Sequence, residues 1–102
     1  MSTLHTVNKS PFATRALASC LAHAKDGDTI LMIEDGVYGA NTGTDIAGDL
    51  AARAGSVGVF ALAPDLAARG LSDANIKSGI KTVDYAGFVK LAAESDRTQA
   101  WL

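Results

Sequence analysis

The chain has 102 residues, of which 48% are hydrophobic and 20% are charged, and its formal net charge is −2. This length predicts a single domain over residues 1–102 that buries its own core. The nine scattered lysines and arginines and an aromatic content of 6% argue against direct binding of nucleic acid. The sequence also lacks a signal-peptide pattern and any apolar run of membrane-spanning length, so we expect a cytoplasmic protein with no membrane contact and a reduced thiol.

The first third of the chain predicts a strand, a helix and a second strand. Residues 3–7 alternate and are rich in β-branched side chains, which favours a short strand. Ser10 is the expected N-cap, with Pro11 at the first position, of a helix over 12–24. Residues 29–33 form a continuous apolar run of strand length, which is typical of a strand buried on both faces of a parallel sheet.

The middle of the chain repeats this alternation. A loop over 37–43 precedes a short helix over 45–54, which Gly55 ends. Residues 57–62 predict a third strand of the same buried kind, and a short helix over 66–69 follows it.

The last third predicts a fourth strand over 80–83 and a helix over 85–94 that Asp84 caps. The tail over 96–102 ends on apolar residues, and such a terminus usually docks on its own domain or on a neighbour. The whole pattern predicts an α/β fold: one small three-layer α/β/α domain with a mainly parallel sheet of four to five strands.

Cys20 is the single cysteine of the chain and the first candidate for chemistry. Helical phase puts it at the edge of the apolar stripe that Leu17 and Leu21 define, with His23 facing a similar direction. A thiol beside an imidazole at a core edge could be partly ionised and nucleophilic. The alternative is that Cys20 is a small hydrophobic residue that fills space on an alanine-rich helix.

The loop after the second strand is the next candidate, because ligands gather at the carboxyl ends of strands in open α/β sheets. It carries Glu34, Asp35 and Tyr38 among several glycines, and neighbouring carboxylates could do acid–base work or hold a cation. The glycine spacing matches neither a dinucleotide nor a phosphate-loop motif. A solvated turn is the alternative, and a small flavodoxin-like binder that uses residues 35–43 is a further hypothesis.

His5 and His23 complete the set of chemically capable side chains. Their spacing to each other and to Cys20 carries no metal-ligand motif, so no metal site is predicted.

The chain resembles the DsrH/TusB family in short blocks that run its whole length in order. These blocks are 4–11, 26–28, 35–37, 61–62, 65–71, 83–89 and 100–101. The resemblance implies a subunit of a heterohexameric sulfur-relay complex, with two copies of each of three related chains. It implies relay of sulfane sulfur, as cysteine persulfide, to a small acceptor protein of the DsrC/TusE type.

The resemblance further implies DsrE-like and DsrF-like partner subunits, and a principal persulfide cysteine that lies on a partner. Whether this chain is an enzyme in its own right stays open, since sulfurtransferase activity would belong to the complex. Cys20 is then a candidate secondary persulfide carrier, the chain is mainly structural, and no cofactor is required. Because DsrH-like members can carry this cysteine, the first interpretation is a DsrEFH-like complex that oxidises stored sulfur. The alternative is a TusB-like subunit of the relay for 2-thiolation of the tRNA wobble uridine.

Overall fold

Five strands alternate with four α-helices in the structure, a computed structural model that describes residues 2–102. The strands are β1 (Thr3–Val7), β2 (Thr29–Met32), β3 (Gly58–Leu62), β4 (Lys81–Val83) and β5 (Arg97–Trp101). The helices are α1 (Ala16–His23), α2 (Asp45–Arg53), α3 (Ala63–Ala68) and α4 (Tyr85–Glu94), with 3₁₀ turns at Glu34–Ala40 and Asp73–Asn75. The predicted α/β class is confirmed.

All strands are parallel and lie in the order β4-β3-β2-β1-β5. The chain steps from β1 to β4 in one direction and then returns across the sheet to place β5 beside β1. Right-handed crossovers therefore put α1, α2 and α3 on one face and α4 on the other, as predicted for three layers. Within residues 2–102, no helix is both long enough and apolar enough to cross a membrane.

The main core lies between the sheet and the face that carries α1 and α2. Side chains from alternate positions of the strands form one side of this core, and side chains from the two helices pack against them. Its members include Val7, Leu17, Cys20, Ile30, Met32, Leu50, Val59 and Ala61. The opposite face is thinner, since α4 has no fully buried residue and leaves Tyr85 and Val89 more than half exposed.

Helix α1 begins at Ala16, four residues later than the sequence predicts. Ser10 does cap a turn, because its Oγ accepts the backbone N–H of Phe12 and its carbonyl accepts those of Ala13 and Thr14. The Thr14 hydroxyl then accepts the N–H of Ala16 and interrupts the helix. This competition by a threonine side chain for a backbone donor explains why the predicted N-terminus was wrong.

The tail docks on its own domain, and it does so as a fifth strand. β5 pairs with β1 over its whole length, from Thr3 with Arg97 to Val7 with Trp101. Asp84 caps α4, as predicted, because its carboxylate accepts the backbone N–H of Gly87.

Candidate functional site

Cys20 lies in the core and has no exposed surface. The prediction that it sits at the edge of the apolar stripe was wrong. The buried side of α1 is centred on Leu17, Cys20 and Ala24, while Leu21 is only half-buried in the groove towards α2. The helix therefore turns Leu17 and Cys20 towards the sheet and leaves Leu21 facing a groove beside α2.

Burial raises the pKa of the Cys20 thiol from 9.0 to about 12, and the negative charge of Asp28 adds to this effect. The thiol is therefore protonated at neutral pH, whereas a sulfur nucleophile acts as its thiolate. His23 does not offset this, because it is exposed and its Nδ1 donates to the carbonyl of Ser19. Cys20 and His23 therefore do not form the predicted pair of a thiol and an imidazole.

The carboxylates of the loop after β2 serve the fold. Arg69 binds Asp35 through Nε and Nη2, both 2.9 Å from Oδ1, and the side chain of Asp65 accepts the backbone N–H of Glu34 at 2.7 Å. The loop itself is a 3₁₀ helix that buries Gly36, Val37, Gly39 and Ala40. The loop is therefore packed into the fold, which differs from the solvated turn that was the alternative to a functional loop.

A polar cluster that sequence reasoning missed lies on the sheet face beneath the end of α1. His5 of β1 is 4% exposed, and its Nε2 lies 2.8 Å from Oδ2 of Asp28, which is 6% exposed. The carboxylate of Asp28 also accepts the backbone N–H groups of Thr3 and Lys25. Trp101, from the far end of β5, donates its indole N–H to Nδ1 of His5 at 3.1 Å.

These contacts fix the proton on His5. An indole nitrogen only donates, so Nδ1 of His5 must be the acceptor and Nε2 carries the proton that it donates to Asp28. Burial raises the pKa of Asp28, but the hydrogen bonds from His5, Lys25 and Thr3 outweigh that effect and hold the pKa below its ordinary value of 3.8.

The cluster could have been suspected only from the register of β5. His5, Gln99 and Trp101 share a face because β5 lies parallel to β1, whereas the sequence analysis assigned no strand to residues 96–102. Within residues 2–102, no group of three or more histidine, cysteine, aspartate or glutamate side chains is arranged to hold a metal ion.

Residues 9–98 match the model of a family described as "DsrH like protein". Two similar relatives are both called "Protein TusB". The relative from Pectobacterium parmentieri is 36% identical over 98 residues, and the relative from Escherichia coli O81 (strain ED1a) is 37% identical over 98 residues. Each alignment covers 96% of this chain and 99% of the relative.

Solved structures share the fold at low sequence identity. The YchN protein of Escherichia coli matches with a TM-score of 0.75 and 14% identity, covering 98% of this chain and 99% of that one. A protein of unknown function, MTH1491 of Methanobacterium thermoautotrophicum, matches with a TM-score of 0.69 and 16% identity, covering 97% and 96%. With a family match over most of the chain and relatives above one-third identity, the chain belongs to the DsrH-like family.

Proposed function

We propose that this chain is a TusB-type subunit of a cytoplasmic sulfur-relay complex that serves 2-thiolation of the wobble uridine in tRNA. The observation that carries the proposal is the near full-length similarity to relatives called TusB. These relatives favour the TusB-like interpretation over the DsrEFH-like one, which the presence of Cys20 had favoured. The complex would contain two further kinds of related chain, two copies of each, and would hand sulfur to a small acceptor protein.

The environment of Cys20 supports a mainly structural role for the chain. A fully buried thiol with a pKa of about 12 has neither the access nor the charge state that persulfide exchange requires. The role of Cys20 as a secondary persulfide carrier stays a prediction, and it requires α1 to move away from the sheet. We infer that Cys20 packs the core and that the reactive cysteine lies on a partner.

Exposed apolar surface supports an assembly role. Phe12 and Val89 are 77% and 69% exposed, and α4 has no buried residue. An isolated subunit that leaves such side chains in water gains by burying them against other chains.

The proposal is tested by deleting the gene for this chain and measuring 2-thiouridine derivatives in digested tRNA by mass spectrometry. We expect those nucleosides to fall sharply and to return when the gene is restored. Normal 2-thiouridine in the deletion strain, together with loss of growth on stored sulfur, would instead support the DsrEFH-like function.

Assembly is tested by native mass spectrometry of the complex that copurifies with the tagged chain. We expect a hexamer with two copies each of this chain and of two others. Purification of this chain without any other chain bound to it would contradict the proposed subunit role.

A further inference from the structure

A trough of about 500 Å³ opens on the sheet face beside the buried His5–Asp28 pair. Its floor is the outer part of the sheet, where Arg97, Gln99 and Trp101 of β5 share a face with His5. Its far wall is the end of α1 and the turn after it, which supply His23 and Lys25. Helix α1 packs against β1 and β5, and the trough opens at the end of this helix, where His23 and Lys25 face the sheet.

The positive charges of the trough have no anionic partner. Within residues 2–102, neither Lys25 nor Arg97 forms an ion pair. Arg97 is held in place from one side only, by a 3.1 Å hydrogen bond from its Nε to the Thr3 hydroxyl. This bond uses only Nε, so the other N–H groups of the Arg97 guanidinium can bind a ligand. The ammonium group of Lys25 can do the same.

The one carboxylate in the lining, Asp28, pairs with neither of these cations. Asp28 accepts three hydrogen bonds, from His5 and from the backbone N–H groups of Thr3 and Lys25, and its side chain is 8% exposed. Lys25 and Arg97 each carry one positive charge and Asp28 carries one negative charge, so the lining keeps a net positive charge.

The end of α1 would normally oppose an anion, since the last carbonyls of a helix carry a partial negative charge. Here Arg53 of α2 donates Nη1 to the carbonyl of Leu21 at 2.9 Å and Nη2 to the carbonyl of Ala24 at 3.0 Å. This guanidinium satisfies the end of the helix from behind and removes much of that repulsion.

We propose that the trough binds a small oxyanion, a phosphate or sulfate group that is either free or carried on a compact organic body. Arg97 and Lys25 would hold the anionic oxygens, Gln99 would donate from the floor, and the rings of Trp101 and His23 would flank the body. These two rings lie 5.5 Å apart at an interplanar angle of 51° and form one side of the trough. The inference does not depend on the proposed relay function.

The single tryptophan of the chain lies in this trough, so its fluorescence reports binding directly. The full-length protein is titrated with inorganic phosphate, sulfate and phenyl phosphate at constant ionic strength, with chloride as the reference salt. We expect a saturable change in Trp101 emission with at least one of these probes. Tighter binding of phenyl phosphate than of inorganic phosphate would assign the site to an ester, and the reverse order to a free anion.

Arg97→Gln and Lys25→Gln are each expected to weaken binding about tenfold, the contribution of one charge-assisted hydrogen bond. Lys90→Gln is the matched control, because it makes the same change of charge at an exposed position on α4. We expect its affinity to equal that of the wild type. No saturation by any probe up to about 10 mM, or equal weakening by all three variants, would overturn the proposal.

Discussion

At the scale of single residues, Asp28 is the side chain on which the polar part of the core depends. It receives three hydrogen bonds from two segments, β1 and the turn after α1, and a carboxylate is the group that can accept all of them at once. Its negative charge also faces Cys20 and raises the pKa of that thiol. One buried carboxylate therefore orders the start of the sheet and adds to the effect of burial on the Cys20 thiol.

Asp28→Asn is expected to lower the free energy of unfolding by about 2–3 kcal/mol, because the amide would place an N–H₂ group against donors from the backbone. Asp26→Asn, in the same turn but exposed, should cost less than about 0.5 kcal/mol. Urea denaturation at neutral pH measures both variants. Equal stability of the two would contradict the role assigned to the Asp28 carboxylate.

The Asp28 carboxylate should also make the stability of the protein depend on pH in the acid range. Since its pKa in the folded state lies below the ordinary 3.8, the carboxylate stabilises the fold above that pH and loses this contribution as the pH falls below it. The stability difference between wild type and Asp28→Asn should therefore shrink between about pH 5 and pH 3. A difference that stays constant over that range would count against the assignment.

The Cys20 thiol should make stability depend on pH in the opposite direction, with a loss of stability at high pH. Its folded pKa of about 12 exceeds 9.0, so the folded state holds the proton more tightly than the unfolded chain does. The contribution is complete below pH 9 and is lost as the pH rises towards 12. Comparing urea midpoints of wild type and Cys20→Ala at about pH 8 and pH 10.5 isolates this thiol from other titrating groups, and the wild type should lose more stability on the shift.

At the scale of secondary-structure elements, the 3₁₀ helix after β2 is held tightly against β1. A side-chain carbon at Gly36 would collide with the backbone carbonyl of Val7, a group that cannot move without disturbing the sheet. By contrast, Gly48 lies on an exposed part of α2, where an added side-chain carbon meets nothing within 4 Å.

Gly36→Ala should therefore destabilise the protein by about 1–3 kcal/mol, whereas Gly48→Ala should stabilise it by about 0.5–1 kcal/mol because alanine favours a helix interior. Thermal unfolding followed by circular dichroism measures both changes. If Gly48→Ala destabilised the protein as much as Gly36→Ala does, crowding around Gly36 would not explain the effect of its substitution.

The elements also show where sequence reasoning succeeds and where it stops. Buried apolar runs and Asp84 located β2, β3 and α4 because these signals are local. The strand character of residues 97–101 was missed because its cause is long-range: β5 exists through its pairing with β1 at the opposite end of the chain. The His5–Asp28–Trp101 cluster depends on that pairing and was missed with it, and the burial of Cys20 depends on which side of α1 faces the sheet.

At the scale of the whole molecule, the two faces of the sheet differ in completeness. One face carries a dense core beneath α1 and α2, and the other is covered by α4, whose apolar side chains stay partly in water. A member of the DsrH-like family with this asymmetry is well suited to burying its second face against other subunits. This asymmetry supports the proposed role of the chain in assembly, with the relay chemistry on a partner.

The most direct test of that account is the 2-thiouridine content of tRNA from a strain that lacks this chain and is complemented with either wild type or Cys20→Ala. We predict that the deletion strain loses most of its 2-thiouridine derivatives and that both genes restore them to the same level. Restoration by wild type but not by a folded Cys20→Ala variant would contradict the central claim, because the buried thiol would then take part in the relay.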